Sequence, residues 1–298
     1  MYTFDKFQGT LVGLACGDAI GTTLEFKPRG SFFPVTDMVG GGPFRLSPGE
    51  WTDDTSMALC LAESLIECNG FDAVDQLNRY VRWMDDGYWS SNGICFDIGG
   101  ATHTALHQFK MTGNPFSGST DAQSAGNGCI MRLAPVPMYF YPDREATILM
   151  SGQSSRTTHG SVECIEACQL FGAMLFSALN ADRKDKILVG HGLHNFTSEG
   201  VRNIAAGQYF DKSIDEIHGS GYVVQSLEAT LWCFYHTDNF KDAILMAANL
   251  GDDADTTAAI CGQIAGAYYG YNGIPQAWRE KIVFHAEILA LAKRLYAR

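Results

Sequence analysis

One short segment of the sequence, residues 249–257, carries three carboxylates within four positions: Asp252, Asp253 and Asp255. Carboxylates this close repel one another, so a folded chain tolerates them where they face solvent or hold a cation. Solvent fits poorly, because residues 258–270 are nearly all small or apolar and are expected to be buried. An acidic loop before a buried helix suits a hard divalent cation. The alternative is a helix-capping cluster, since acidic residues are also favoured at helix N-termini.

A second segment, far upstream, has the same design. Thr52, Asp53, Asp54 and Thr55 directly precede an apolar, helix-favouring run at residues 56–65. Two such loops facing each other would supply about six oxygen ligands, enough for two octahedral ions whose shells are completed by water. The pair of segments therefore predicts a two-metal site built from both ends of the chain.

Composition and charge exclude several classes of protein. The net charge of −12 argues against nonspecific binding of nucleic acid, which depends on Lys and Arg neutralising phosphates. Nine cysteines, an odd number without a dense framework, indicate reduced thiols in the cytoplasm. Residues 1–10 lack the pattern of a signal peptide, and the apolar runs look too short or too interrupted to span a bilayer. We expect a cytoplasmic protein without a membrane partner.

The predicted fold is all-α, and residues 1–298 are predicted to form a single compact multi-helix domain. No segment shows the alternation of a strand, and no linker or fixed-period repeat divides the chain. The predicted helix at residues 4–20 contains glycine at every fourth position, at a cost of about 1 kcal/mol each relative to Ala. Close packing against another helix is the expected compensation. An amphipathic closing helix is predicted over residues 278–296.

Four motifs together resemble the ADP-ribosylglycohydrolase family, and most of all the branch with the bacterial enzyme that removes ADP-ribose from dinitrogen reductase. They are GLACGDAIG at residues 13–21, TDDT at 52–55, GNGCIMR at 126–132 and GDDADTT at 251–257. Each motif alone is weak, but four in the family's order are specific. The resemblance runs over most of the chain and implies an all-α fold with a dinuclear metal cleft.

The resemblance also implies roles for individual residues. Six residues are implied to bind two divalent cations: Thr52, Asp53, Asp54, Asp253, Asp255 and Thr256. Asp252 lies outside the matching pattern and is expected to face away. Oxygen ligands of this kind favour Mg²⁺ or Mn²⁺ over Zn²⁺, which prefers nitrogen and sulfur. Four acidic residues are candidates for catalysis: Glu25, Asp53, Asp97 and Asp255.

A further group of residues is expected to bind the substrate. Asp97 is predicted to be the N-cap of the next helix, and arginine-acting relatives place a substrate-contacting Asp there. Gly100 departs from the Asn of the nitrogenase-linked relatives, which affects leaving-group recognition. Ser154, in a polar stretch, is a candidate donor to pyrophosphate. The resemblance adds five residues to this group: Gly126, Asn127, Gly128, His159 and Tyr222.

The activity implied is hydrolysis of the N-glycosidic bond between ADP-ribose and a protein arginine, with ADP-ribose as product and a cognate ADP-ribosyltransferase as a further partner. Three alternatives stay open. The leaving group could instead be serine, a nucleic-acid base or O-acetyl-ADP-ribose. The chain could be an immunity protein that binds and neutralises an ADP-ribosylating toxin. A two-metal phosphohydrolase would release phosphate instead of ADP-ribose.

Overall fold

The computed structural model describes residues 3–298, which form helices joined by loops. Within that range the only strand-like pairings are isolated bridges, so the predicted all-α class is confirmed. The helices are α1 Thr3–Gly21, α2 Asp53–Glu67, α3 Ala73–Asp86, α4 Gly100–Thr112, α5 Pro135–Phe140, α6 Arg144–Arg156, α7 Val162–Leu179, α8 Lys184–Val189, α9 Glu199–Ala205, α10 Val223–Tyr235, α11 Phe240–Ala248, α12 Ala254–Tyr269, α13 Gln276–Arg279 and α14 His285–Tyr296.

Helices α1 and α12 cross at the centre of the molecule through their glycines. A Cβ atom on Gly17 would lie 2.0 Å from the carbonyl oxygen of Ala258, and one on Gly266 would lie 2.0 Å from that of Gly9. The partners run in opposite directions along the two helices, so the packing is antiparallel. The glycine spacing in the first helix is thereby explained, as predicted, by close packing. This crossing places the C-terminus of α1 beside the N-terminus of α12.

Helix α7 is the one helix in residues 3–298 that is long and apolar enough to cross a membrane. The expectation that every apolar run would be too short or too interrupted is therefore wrong for this segment. The helix is 67% buried inside the protein and packs against α6, α10 and α12. Its apolar composition is explained by burial in the protein core.

The predicted closing helix is interrupted. Helix α13 ends at Arg279 and α14 begins at His285, with Phe284 in the left-handed region at φ 55°. Between them, the Val283 N–H donates to the carbonyl of Gly49 at 3.1 Å, and its carbonyl accepts from Trp51 Nε1 at 3.3 Å. Because these bonds tie the segment to the loop before α2, its backbone groups are not free to continue a helix.

The predicted helix start at Asp97 is also wrong. Helix α4 begins at Gly100 and its N-cap is Gly99, whereas Asp97 adopts a left-handed conformation at φ 61°. The Asp97 side chain lies among other carboxylates and caps no helix. The contact of Asp97 with Glu25 and Asp255, which are distant in the chain, therefore outweighs its local preference for capping a helix.

We expect Gly266→Ala to lower the free energy of unfolding by about 1–3 kcal/mol, because the new methyl group would force α1 and α12 apart. Gly266 lies at the end of the crossing where α1 begins, so the effect on stability can be separated from effects on the α12 N-terminus. Chemical denaturation would measure it. Gly100→Ala is the matched control, since nothing lies within 4 Å of its Cβ position. Equal stabilities of the two variants would contradict this account of the crossing.

Candidate active site

The two predicted metal loops meet at the N-termini of α2 and α12. Thr52 is the N-cap of α2 and Asp253 that of α12, yet neither side chain accepts a capping bond from the backbone of its helix. Thr52 Oγ1 instead lies 3.3 Å from both Asp54 Oδ2 and Asp255 Oδ2. Thr256 Oγ1 lies 3.4 Å from the same Asp54 oxygen. Four of the six predicted ligands are therefore in contact, and two helix dipoles favour negative charge there.

Asp18 of α1, and not Thr52, accepts the hydrogen bonds that cap the N-terminus of α2. Its Oδ1 accepts from the N–H and hydroxyl of Thr52, both at 2.9 Å, and its Oδ2 accepts from the N–H and hydroxyl of Thr55 at 3.0 and 2.6 Å. Burial raises the pKa of Asp18 to about 6 although these four donors oppose the rise. Asp18 belongs to the GLACGDAIG motif at residues 13–21, and these bonds show that it positions the first metal loop.

A second contact within the site joins three carboxylates, those of Glu25, Asp97 and Asp255. One carboxylate oxygen from each lies within 4.8 Å of the others, although the three come from separate segments of the chain. Glu25 follows the short 3-10 helix Thr22–Leu24 at the end of α1 and is only 3% exposed. The segment after α1, the segment before α4 and the second loop thus contribute to one acidic cluster, and Asp53 and Asp54 of the first loop belong to the same site.

The acidic cluster has the properties of a cation site. Asp54 Oδ1 and Glu25 Oε2 are buried and have no hydrogen-bond partner, and no Lys or Arg is among the residues that line the cleft. Burial, with repulsion from neighbouring carboxylates, raises the pKa of Glu25 to about 9 and of Asp97 to about 7. It raises the pKa values of Asp53, Asp54 and Asp255 well above the usual range. Oxygen ligands that cannot all be ionised without a counter-charge fit divalent cations.

Neutral groups form the opposite wall of the cleft. Asn127 Nδ2 donates to Asp253 Oδ2 at 2.6 Å, and the Asn127 N–H donates to the carbonyl of Gly221 at 3.0 Å. The His159 ring packs on the adjacent glycines, where a Cβ on Gly128 would lie 2.9 Å from its Cε1. The second metal loop is therefore tied directly to the Gly126–Gly128 segment, which presents small residues to the cleft.

A buried chain of hydrogen bonds sets the protonation of His159. Thr158 Oγ1 accepts from Arg132 Nη2 at 2.6 Å and lies 2.8 Å from His159 Nδ1. The guanidinium can only donate, so the Thr158 proton is free to bond Nδ1, which leaves the His159 proton on Nε2. Burial, aided by Arg132, lowers the pKa of His159 to about 4. A neutral imidazole therefore presents an Nε2–H donor beside the glycines that line the cleft. Sequence reasoning assigned no role to Arg132 or Thr158.

Two predicted substrate-binding residues lie outside this cleft. Ser154 is on α6, is 1% exposed, and its hydroxyl accepts from Gln76 Nε2 at 3.1 Å; the polar stretch that suggested it is the buried end of a helix. The Tyr222 hydroxyl donates to Glu163 Oε2 at 2.7 Å, and its ring lines a neighbouring groove. Asp252, which was expected to face away, lines the rim of the cleft.

The acidic cluster and the neutral wall enclose one cleft of about 620 Å³. Of the predicted site residues, ten line it: Glu25, Asp53, Asp97, Gly126, Asn127, Gly128, His159, Asp253, Asp255 and Thr256. Its volume is that of a small-molecule site, with charge concentrated at one end. Such an arrangement can bind an extended ligand that carries different charges at its two ends.

A family model described as ADP-ribosylglycohydrolase matches residues 2–298. The chain belongs to the ADP-ribosylglycohydrolase family. A relative from Serratia proteamaculans, named ADP-ribosylarginine hydrolase Tri1, is 49% identical over 294 residues, which cover 99% of this chain and 80% of that protein. The ADP-ribosyl-[dinitrogen reductase] glycohydrolase of Rhodospirillum rubrum is 30% identical over 290 residues, 95% of this chain and 92% of that one.

A solved structure described as an ADP-ribosylglycohydrolase-related protein complex is similar in sequence and in fold. It has 39% sequence identity and a TM-score of 0.86, over 99% of this chain and 98% of that one. The family resemblance carried by the four sequence motifs is confirmed.

We expect the metal-free ADP-ribosylglycohydrolase to lose thermal stability between about pH 5.5 and about pH 8.5. Glu25 and Asp97 have pKa values above those of the unfolded chain, so the folded state binds more protons in this window and stability falls as the pH rises. Saturating Mg²⁺ should offset the loss, which makes the metal-induced rise in Tm larger at the higher pH. Thermal unfolding in EDTA and in Mg²⁺ would measure both effects. Glu25→Gln should flatten the metal-free pH dependence, and a pH-independent metal effect would contradict the prediction.

Proposed function

We propose that this chain removes mono-ADP-ribose from modified arginine side chains of proteins by hydrolysing the N-glycosidic bond to the ribose. The observation that carries the proposal is the buried, unpaired acidic cluster at one end of a cleft whose other end is neutral. The arginine hydrolase named in Serratia proteamaculans, at 49% identity over 99% of this chain, supports the same linkage. The proposed product is ADP-ribose.

The distribution of charge orients the substrate. The diphosphate of ADP-ribose is repelled by the carboxylates and suits the Gly126–Gly128 wall, where the His159 Nε2–H is available as a donor. The terminal ribose then lies at the acidic end with its anomeric carbon beside Glu25, Asp97 and Asp255. In this orientation, the bond between the anomeric carbon and the leaving nitrogen lies next to the acidic groups.

We propose two divalent cations, Mg²⁺ or Mn²⁺, for the acidic end. When bound, they would offset the carboxylate charge, hold the ribose hydroxyls and lower the pKa of an attacking water. The residues that would hold them are those of the two loops at the helix N-termini: Thr52, Asp53, Asp54, Asp253, Asp255 and Thr256. Asp18 keeps the first of these loops in place, and Asn127 holds Asp253.

The carboxylates have two tasks in the hydrolysis. As the bond between the anomeric carbon and the nitrogen breaks, positive charge develops on the ribose and is stabilised by the nearby anionic oxygens. One carboxylate accepts a proton from the water whose oxygen bonds to the anomeric carbon, and another delivers a proton to the departing guanidine nitrogen. Candidates for proton transfer are Glu25, Asp53, Asp97 and Asp255.

Release of ADP-ribose from an arginine-modified protein tests the proposal directly. We expect release with Mg²⁺ or Mn²⁺, none in EDTA and little from a serine-modified control protein. Release from the serine-modified protein alone would identify a different leaving group. Release of inorganic phosphate would indicate a phosphohydrolase. Tight ADP-ribose binding without release from either protein would favour a binding or immunity role.

We expect Asp54→Asn to lower kcat/KM by at least about 100-fold, because charged groups of a preorganised site contribute on that scale. Asp54 contacts Thr52 and Thr256, one from each loop. Asp185→Asn is the matched control: it makes the same change at an exposed side chain that does not line the cleft. Steady-state kinetics on the arginine-modified protein would measure both, and equal losses would show that the effect is not specific to the cluster.

We also propose that the substrate arises from a cognate ADP-ribosyltransferase in the cytoplasm. Hydrolysis requires an earlier reaction that attached the ADP-ribose to the protein. All nine cysteines are free thiols, and seven of them are buried, which suits a reducing compartment. Cell fractionation would test the location, and recovery of the protein from an oxidising compartment would contradict it.

A further inference from the structure

Three phenylalanine rings form an aromatic wall at the mouth of the cleft. The centroids of Phe26 and Phe44 are 6.4 Å apart with the rings nearly perpendicular, and those of Phe44 and Phe96 are 5.1 Å apart. Phe26 is 65% exposed and lines the cleft. Within residues 3–298, none of the three rings belongs to the hydrophobic core cluster. Phe26 therefore contributes apolar surface to the cleft, and the rings of Phe44 and Phe96 continue the wall beyond the cleft lining, outside the core.

The aromatic wall stands directly outside the acidic cluster. Phe26 follows Glu25 in the chain and Phe96 precedes Asp97, and the carboxylates of these two acids approach within 4.8 Å of each other. The wall thus links the two loops that supply the acids, with carboxylates on its inner side and solvent on its outer side.

The backbone holds Phe26 in this position at a cost in energy. Phe26 adopts φ 60°, a left-handed conformation that is rare for a bulky residue. Its N–H donates to the carbonyl of Asp252 at 2.7 Å, and the Asp252 N–H donates to the carbonyl of Lys27 at 2.9 Å. The ring is too exposed for core packing to explain the strain. Strain that is maintained at the mouth of a site points to a role of the residue in that site.

Charge decides which part of the substrate the wall fits. Aromatic faces beside carboxylates attract a guanidinium, which stacks on rings and pairs with carboxylates. The same surroundings repel a diphosphate, for which the His159 Nε2–H beside the Gly126–Gly128 wall is a neutral donor. An uncharged leaving group such as a serine hydroxyl would gain little from either the rings or the acids.

We propose that Phe26, supported by Phe44 and Phe96, forms the subsite for the guanidinium and methylene stem of the arginine leaving group. The inference rests on the proposed function and names the residues that make the site selective for a cationic leaving group. Phe26 touches the leaving group, while Phe44 and Phe96 position its ring.

The test compares the substrate with the product, because only the substrate carries the leaving group. In Phe26→Leu, which keeps an apolar side chain but loses the aromatic face, KM for free ADP-ribosylarginine should rise about 5- to 30-fold. The Kd for ADP-ribose, measured by calorimetry, should not change. Phe26→Tyr retains the ring and should restore KM. Phe33→Leu is the matched control, since Phe33 is 96% exposed in the same loop and does not line the cleft.

The possible outcomes separate this inference from the proposed function. An unchanged KM in Phe26→Leu, with a wild-type enzyme active on ADP-ribosylarginine, would overturn the subsite alone. An equal loss of affinity for ADP-ribose would overturn it too, since the ring would then contact the retained part of the substrate. An effect on modified protein but not on free ADP-ribosylarginine would show that the ring binds flanking polypeptide. Inactivity of the wild type on every arginine conjugate would overturn both the inference and the function.

Discussion

The contact between backbones in the crossing of α1 and α12 is the constraint on which the site depends. Glycines on both helices bring their backbones closer than any Cβ would allow. The C-terminus of α1, with Asp18 and Glu25, is thereby set against the N-terminus of α12 with Asp255. A wider crossing would separate these acids, because each helix carries its site residues at its end. The energetic cost of glycine within helices is compensated by this geometry.

Without a cation, the acidic cluster destabilises the fold. The charge that destabilises the fold is also what attracts a cation. Buried carboxylates that repel one another hold protons or require cations, and two helix N-termini offset only part of the charge. Asp18, bonded by Thr52 and Thr55, holds the first loop through bonds that do not involve the carboxylates of Asp53 and Asp54. Stability and cation binding would therefore be coupled, since the oxygens that destabilise the metal-free fold are the proposed ligands.

The cleft separates charge along its length, and this separation gives direction to the substrate. At one end, Arg132 and Thr158 hold His159 neutral and aim its Nε2–H toward the glycines. At the other end, carboxylates stand behind the exposed ring of Phe26. The diphosphate and the guanidinium are the two charged groups of the modified side chain, and they lie on either side of the ribose that carries the glycosidic bond. The match explains how one cleft can place the glycosidic bond at the acids without a Lys or Arg in its lining.

The sequence by itself determined the helical class, the glycine stripe of α1 and the two Asp/Thr loops. These are local patterns, because periodicity and helix-start chemistry are properties of residues close together in the chain. The four motifs also identified the family and nearly half of the cleft lining. What they could not show was which side chains meet across the fold.

The tertiary structure alone decided the roles that depend on contacts between distant segments. Ser154 is buried against Gln76, and Tyr222 bonds Glu163 instead of facing the acids. Asp97 does not cap a helix as predicted, and its carboxylate lies beside that of Glu25. The aromatic wall joins residues from two loops, and no local pattern marks Phe26 as different from the exposed Phe33. Such contacts depend on how the helices pack, and local patterns in the sequence do not reveal that packing.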